Sequence, residues 1–145
     1  GLAGLLRRLP GGVRALLTAD HGMVNIDPPL LRDLADSPAL AQDVRLIAGE
    51  TRAVHVHAEP GRARGVEERW RAELGEGAWI LNRAQMGALI GQGPGADAVG
   101  DLLVLARGRG GVVDSRVQSA AMIAMPGVHG SLSSEEMRIP LVRLA

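Results

Sequence analysis

The sequence predicts an α/β fold, and three observations carry that prediction. Apolar runs of strand length alternate with helical patterns, polar or glycine-rich loops separate them, and one central stretch reads β-β-α-β. At 145 residues, 46% of them apolar, the chain has the size of one ordinary domain and the material for one core. Leu, Val, Ile, Ala, Met and two tryptophans must fill that core, because Phe and Tyr are absent.

In order, Leu2, Leu5, Leu6 and Leu9 share one helical face, and Pro10-Gly11-Gly12 would end that helix. Val13 to Leu17 has the length of a buried strand and feeds into Thr18-Ala19-Asp20-His21-Gly22. Asp27 to Asp43, rich in Pro, Asp and Leu, reads as a loop with one short helix around Pro29 to Ala35. Strands are expected at Val44 to Ala48 and Arg52 to Ala58, joined by the hairpin-sized Gly49-Glu50-Thr51. A helix at Gly65 to Leu74 and a strand at Trp79 to Leu81 complete a small α+β subdomain over 44–82, within a single unit over 1–145.

Arg83 to Ile90 predicts a helix, Gly91 to Gly100 a glycine-rich loop, and Leu102 to Ala106 a buried strand. A strand pair is expected between Gly111 and Met125-Pro126. Ser133-Ser134-Glu135-Glu136 matches a capping box opening a short helix, and Ile139 to Leu144 reads as a last strand.

Composition narrows the function classes. All 16 basic residues are arginine and 16 acidic residues balance them, so no overall field draws in a nucleic-acid polymer or an anionic membrane. Any phosphate affinity must come from a local site. Without cysteine there is neither a disulfide framework nor a thiolate metal site, which favours a cytoplasmic protein and also permits an exported one. The longest apolar runs fall far short of the roughly 20 residues that span a bilayer. The chain opens without an initiator Met or a signal pattern, on residues that read as the middle of a helix, so it is expected to be a fragment.

Four places could carry chemistry. Asp20-His21-Gly22 lies where a strand ends, the edge at which α/β sheets gather ligands, and a carboxylate with a neutral imidazole is an ordinary donor set for zinc. An Asp in a strand-end turn is also commonplace. His129-Gly130 follows 108 positions after His21 in a second loop; it matters only if the two loops converge. His55 and His57 share one strand face and could bind metal, but the alternation is the ordinary pattern of a strand with one wet face. Gly91-Gln92-Gly93-Pro94-Gly95-Ala96 fits G-x-G-x-x-A with Asp114 downstream, yet a dinucleotide fingerprint needs a strand before and a helix after it. A helix is expected before it instead, and too few residues follow for another.

Several stretches together resemble the type I phosphodiesterase/nucleotide pyrophosphatase family of the alkaline-phosphatase superfamily. They are Leu16-Leu17-Thr18-Ala19-Asp20-His21-Gly22-Met23, Ala48-Gly49-Glu50-Thr51-Arg52, Gly100-Asp101-Leu102-Leu103-Val104, Gly127-Val128-His129-Gly130-Ser131-Leu132 and Glu136-Met137-Arg138-Ile139-Pro140-Leu141. The resemblance implies a partial alkaline-phosphatase-like sheet with flanking helices, covering the C-terminal part of such an enzyme. It implies two divalent metal ions, usually zinc, with Asp20 and His21 on the ion that contacts the nucleophile and His129 on the other. The family's Thr or Ser nucleophile and its remaining ligands have no counterpart here; Thr18 is expected to pack rather than replace that nucleophile, and Ser131 is not expected to contact phosphate. A small phosphate ester or nucleotide is the implied substrate, sulfatase, phosphonate hydrolase and phosphomutase chemistry are the alternatives, and the isolated chain is expected to be inactive. Half of such a domain would leave sheet edges uncovered, so self-association is also expected.

Overall fold

Long-range strand pairing decides how these local patterns assemble. The computed structural model describes residues 1–91 and 93–144. In chain order the elements are α1 (Leu2–Leu6), β1 (Leu16–Thr18), β2 (Val24–Asn25), β3 (Leu31–Asp33), α2 (Pro38–Ala41), β4 (Val44–Glu50), β5 (Ala53–Ala58) and α3 (Ala63–Leu74). There follow β6 (Ala78–Asn82), α4 (Arg83–Ile90), β7 (Leu102–Ala106), β8 (Gly111–Val113), α5 (Ala120–Ile123), β9 (Gly127–Val128), α6 (Ser134–Met137) and β10 (Leu141–Arg143).

The core is a four-stranded antiparallel sheet ordered β4-β5-β7-β6. Strand β7 lies inside it with all five residues buried, which is why Leu-Leu-Val-Leu-Ala is apolar without alternation. Its neighbour β5 does alternate. Val54, Val56 and Ala58 are buried on one face, while Ala53, His55 and His57 are half-buried on the other. Helix α3 covers the first face, setting Val66 and Trp70 against Val54, Val56, Ile80, Leu102 and Val104. Trp70 is fully buried, and its indole N–H donates to the Leu40 carbonyl at 3.0 Å. Helix α4 covers the second face, where Met86 meets Leu103 and Leu105. It begins directly at the end of β6 because Asn82 and Gln85 form a reciprocal capping box.

The hairpin, both longer helices and the buried strand stand where the sequence places them. The sheet does not stop at residue 82, however, since β7 enters between β5 and β6. Three other expectations give way to long-range pairing or local capping. Instead of a helix over Pro29 to Ala35, Leu31–Asp33 is strand β3, drawn into parallel pairing with β8 between two single turns of 3-10 helix. Instead of a second strand after β8, Ser119 accepts the Met122 N–H and opens α5. Strand β1 is not buried: Leu16 is 64% exposed, because its partner β10 is equally open and their ladder is not joined to the core sheet. Thr18, expected to pack, is exposed with it.

Candidate metal centre

Asp20-His21-Gly22 leads into β2, and His129 follows β9, so one ladder of two residue pairs decides whether the loops meet. Val24 pairs with Val128 and Asn25 with Gly127 in antiparallel register. Extended by one pair, that register puts Met23 opposite His129, beside the turn that holds His21. The imidazoles of His21 and His129 accordingly stack, with centroids 3.6 Å apart and planes inclined by 17°. Asp20 is the open side of this group: its side chain is 88% exposed, and its Oδ2 lies 3.7 Å from His21 Nε2.

Two glycines permit the approach. A Cβ on Gly22 would run into the backbone carbonyl of Glu135, and the Gly22 N–H donates to the Glu136 carbonyl at 2.8 Å. Gly130 holds φ at 119°, and a Cβ there would lie 2.9 Å from that of Ala53 on the hairpin. The His129 loop is thus seated between the D-H-G turn and the β4–β5 turn.

A buried ion pair underlies both loops. Arg52, fully buried in the hairpin turn, donates to Glu136 Oε1 at 2.8 Å and Oε2 at 2.9 Å, and to the carbonyls of Gly110 and Ala106 at 2.8 and 3.1 Å. Glu136 Oε1 also accepts the Ser131 N–H at 3.0 Å. The expected capping box therefore does not form. Helix α6 starts at Ser133 as foreseen, but the carboxylate that would return to the cap is occupied by Arg52 and Ser131, and the Ser133 side chain makes no capping bond. In the sequence Arg52 opens an expected strand and Glu136 closes an expected capping box, both within resembling stretches, and neither position marks a buried residue.

The electrostatics follow from these contacts. The backbone N–H groups of His21 and of Asp20 itself hold the Asp20 carboxyl below its ordinary value, with His21 adding to the effect. Burial pushes the Glu136 carboxyl up, but Arg52, the Ser133 hydroxyl and the Ser131 N–H outweigh it and bring it down to about 2. A depressed carboxyl contributes stability that is complete above its unfolded value, near 4.5, and is lost as pH falls toward 2. At 1.36 kcal/mol per pK unit the contribution is about 3 kcal/mol. Urea unfolding between pH 5 and 2 should show a larger loss in wild type than in a Glu136→Gln variant, in which Asp33 and Asp114, also held below their ordinary values, still contribute.

The donors have the chemistry of a divalent metal site. His21 Nδ1 sits 2.7 Å from the Gly22 carbonyl, which can only accept, so Nδ1 carries the proton and Nε2 presents its lone pair. Two ligands each 2.0–2.1 Å from a tetrahedral zinc lie about 3.4 Å apart, and the 3.7 Å between His21 Nε2 and Asp20 Oδ2 is near that spacing. The stacked rings impose a second condition. An ion in the plane of one imidazole lies roughly 3 Å off the other plane, beyond the ~2 Å zinc–nitrogen distance, so His21 and His129 suit neighbouring ions rather than one shared ion. Among the described residues, no group of three or more His, Asp and Glu side chains is disposed to hold an ion. Asp20, His21 and His129 stand together, but by themselves they do not form such a group.

The other candidates stand apart. Burial, and then its neighbour His57, lowers the pKa of His55, whose Nδ1 accepts the Gly100 N–H at 3.4 Å; this is strand packing. Within the Gly91–Ala96 loop Gln92 lies outside the described residues, but α4 precedes the loop and only a three-residue 3-10 turn, Ala96–Ala98, follows it. Asp114 is buried and paired with Arg116 at 2.7 Å. The fingerprint reading falls with that context. Ser131 Oγ is buried and donates to the Ala106 carbonyl at 2.6 Å, so it is committed to structure.

No protein-family model matches the chain, and no curated protein matches it. Solved structures do. Human ectonucleotide pyrophosphatase/phosphodiesterase 5 superposes with a TM-score of 0.73 at 13% identity, over 98% of this chain and 37% of its own. The murine protein gives 0.68 at 17% identity, over 97% and 36%, and its inactive form in complex with AMP gives the same values. Phosphonoacetate hydrolase from Sinorhizobium meliloti 1021, in complex with phosphonoformate, gives 0.70 at 18% identity, over 98% and 37%. The chain thus spans little more than a third of the length of the proteins it resembles. Over nearly all of its own length it shares the fold of the corresponding part of these solved structures.

Proposed function

We propose that this chain is part of a metal-dependent phosphoester hydrolase and supplies Asp20 and His21 to one divalent ion and His129 to a neighbouring one. The observation that carries the reading is the stacking of His21 on His129 beside the open Asp20 carboxylate, across 108 positions of sequence. Zinc suits the donors, which are one carboxylate and imidazole nitrogens.

Each residue has a definite task. Asp20 stays ionised because backbone N–H groups hold its pKa down, so it presents a charged oxygen. His21 is oriented by the Gly22 carbonyl with Nε2 toward the same space. His129, seated by Gly130 over the hairpin, faces an adjacent position. Divalent cations held there would supply the charge that activates an attacking hydroxyl, neutralises a phosphoryl group and stabilises a leaving oxygen. The nucleophile and further ligands would come from the part of the fold that this chain does not span, and the exposed apolar ladder β1–β10 is suited to be covered by it. By itself the chain should associate through that ladder, which sedimentation velocity would register.

Zinc affinity measured calorimetrically, with wild type against Asp20→Ala/His129→Ala, tests the ligand assignment. Affinity should fall by at least an order of magnitude in the variant, with no turnover of a chromogenic phosphodiester by either. Equal affinity in both would remove the assignment. A second reading, phosphonate hydrolysis, draws on the likeness to phosphonoacetate hydrolase. Phosphonoacetate and a nucleotide diester, offered to a polypeptide spanning the whole fold, would separate the two.

A further inference from the structure

We propose that the buried Arg52–Glu136 pair is the positioning clamp that holds His129 in register with Asp20 and His21. The inference rests on the metal-site reading above, but its geometric half stands without it. Among the described residues, Glu136 is bonded to both loops. Its side chain accepts the N–H of Ser131, two positions after His129, and its main-chain carbonyl accepts the N–H of Gly22, next to His21. Arg52 in turn fixes that carboxylate with a two-pronged contact and ties it to the core, because its remaining bonds go to the Ala106 carbonyl at the end of β7 and the Gly110 carbonyl before β8.

The pair is costly as a stability device alone. Two charges, 0% and 2% exposed at their side chains, have been taken from water, and apolar residues of similar volume often serve a core as well. Apolar residues could not accept the Ser131 N–H, nor carry directional bonds from the hairpin turn to the α6 segment. Bonding of this kind adds geometric specificity as well as energy, and a ligand geometry demands placement to within about 0.5 Å. Arg52 and Glu136 touch no ligand position themselves; they act through Ser131, Gly22 and the main chain between them.

The test uses the chain as it is, in Glu136→Gln and Arg52→Lys, with the apolar pair Arg52→Met/Glu136→Leu alongside. With four histidines in the sequence, the ring protons of His21 and His129 can be assigned, and stacking at 3.6 Å shifts them upfield. Each variant is expected to keep the far-UV dichroism of the core, lose the upfield shifts, and bind zinc roughly tenfold or more weakly, with Arg52→Lys the mildest because it keeps the charge and loses the fork. If Glu136→Gln fails to fold, Arg52→Lys alone decides the question. Retained stacking and unchanged zinc affinity in the folded variants, with only the melting temperature altered, would overturn the clamp while leaving the metal reading intact. If wild type binds no zinc but the variants still lose the stacking, the clamp stands and the metal reading fails.

Discussion

Gly22→Ala is expected to dismantle the candidate site more thoroughly than any other single methyl group added to this chain. The new Cβ would occupy the space of the Glu135 carbonyl, with Glu136 Cα only 3.3 Å away. Neither neighbour is the far end of a flexible side chain. The D-H-G turn and the α6 segment would have to separate, which breaks the Gly22 N–H bond to the Glu136 carbonyl and moves His21 off His129. Overpacking of this kind costs about 1–3 kcal/mol. Zinc affinity should fall by at least tenfold, and the histidine ring protons should lose their upfield shift. Gly11→Ala is the control, since nothing lies within 4 Å of its added Cβ and its backbone is not left-handed. Equal zinc affinity in the two variants would show that the close approach does not govern the site.

Trp70→Ala should have the largest effect on stability, about 3–5 kcal/mol. The chain has no Phe or Tyr, so this indole is the largest body in the core, fully buried on α3 against Val54, Val56, Ile80 and Val104. Truncation removes that volume and also strands the Leu40 carbonyl, which accepts the indole N–H. Trp70→Phe separates the two losses: it keeps much of the area and forfeits the hydrogen bond, at a cost of about 1 kcal/mol. Urea unfolding followed by far-UV dichroism measures both. A loss below about 1 kcal/mol for the alanine variant would mean that α3 does not close this core.

What the sequence makes legible here is local. The alternation in Ala53–Ala58, the apolar run Leu102–Ala106 and the capped helix at Arg83–Ile90 each announce themselves, because burial on one face, on two faces, and a capping box leave distinct marks. The insertion of β7 between β5 and β6 leaves no such mark, nor does the parallel pairing that turns Leu31–Asp33 from expected helix into strand. Those depend on contacts some 20 to 80 residues apart. The same holds for the site. Asp20, His21 and His129 can be named from their residue types and from family resemblance, yet their meeting depends on β2 pairing with β9, a ladder of two residues on each side. Strand β1 misleads in the opposite direction. Its apolar sequence suggests burial, but burial requires a covering element, and the ladder it forms with β10 has none among the described residues. Arg52 and Glu136 are the furthest from local legibility, since charged residues become interior only through partners 84 positions apart.

A crystal of this chain grown with zinc and measured at the zinc absorption edge tests the central claim most directly. The account predicts an anomalous peak about 2.0–2.1 Å from His21 Nε2 and within ligand distance of an Asp20 oxygen, with the His129 imidazole turned toward a separate adjoining position. A single ion held by both imidazoles, or zinc bound elsewhere with Asp20 and His21 left bare, would contradict it.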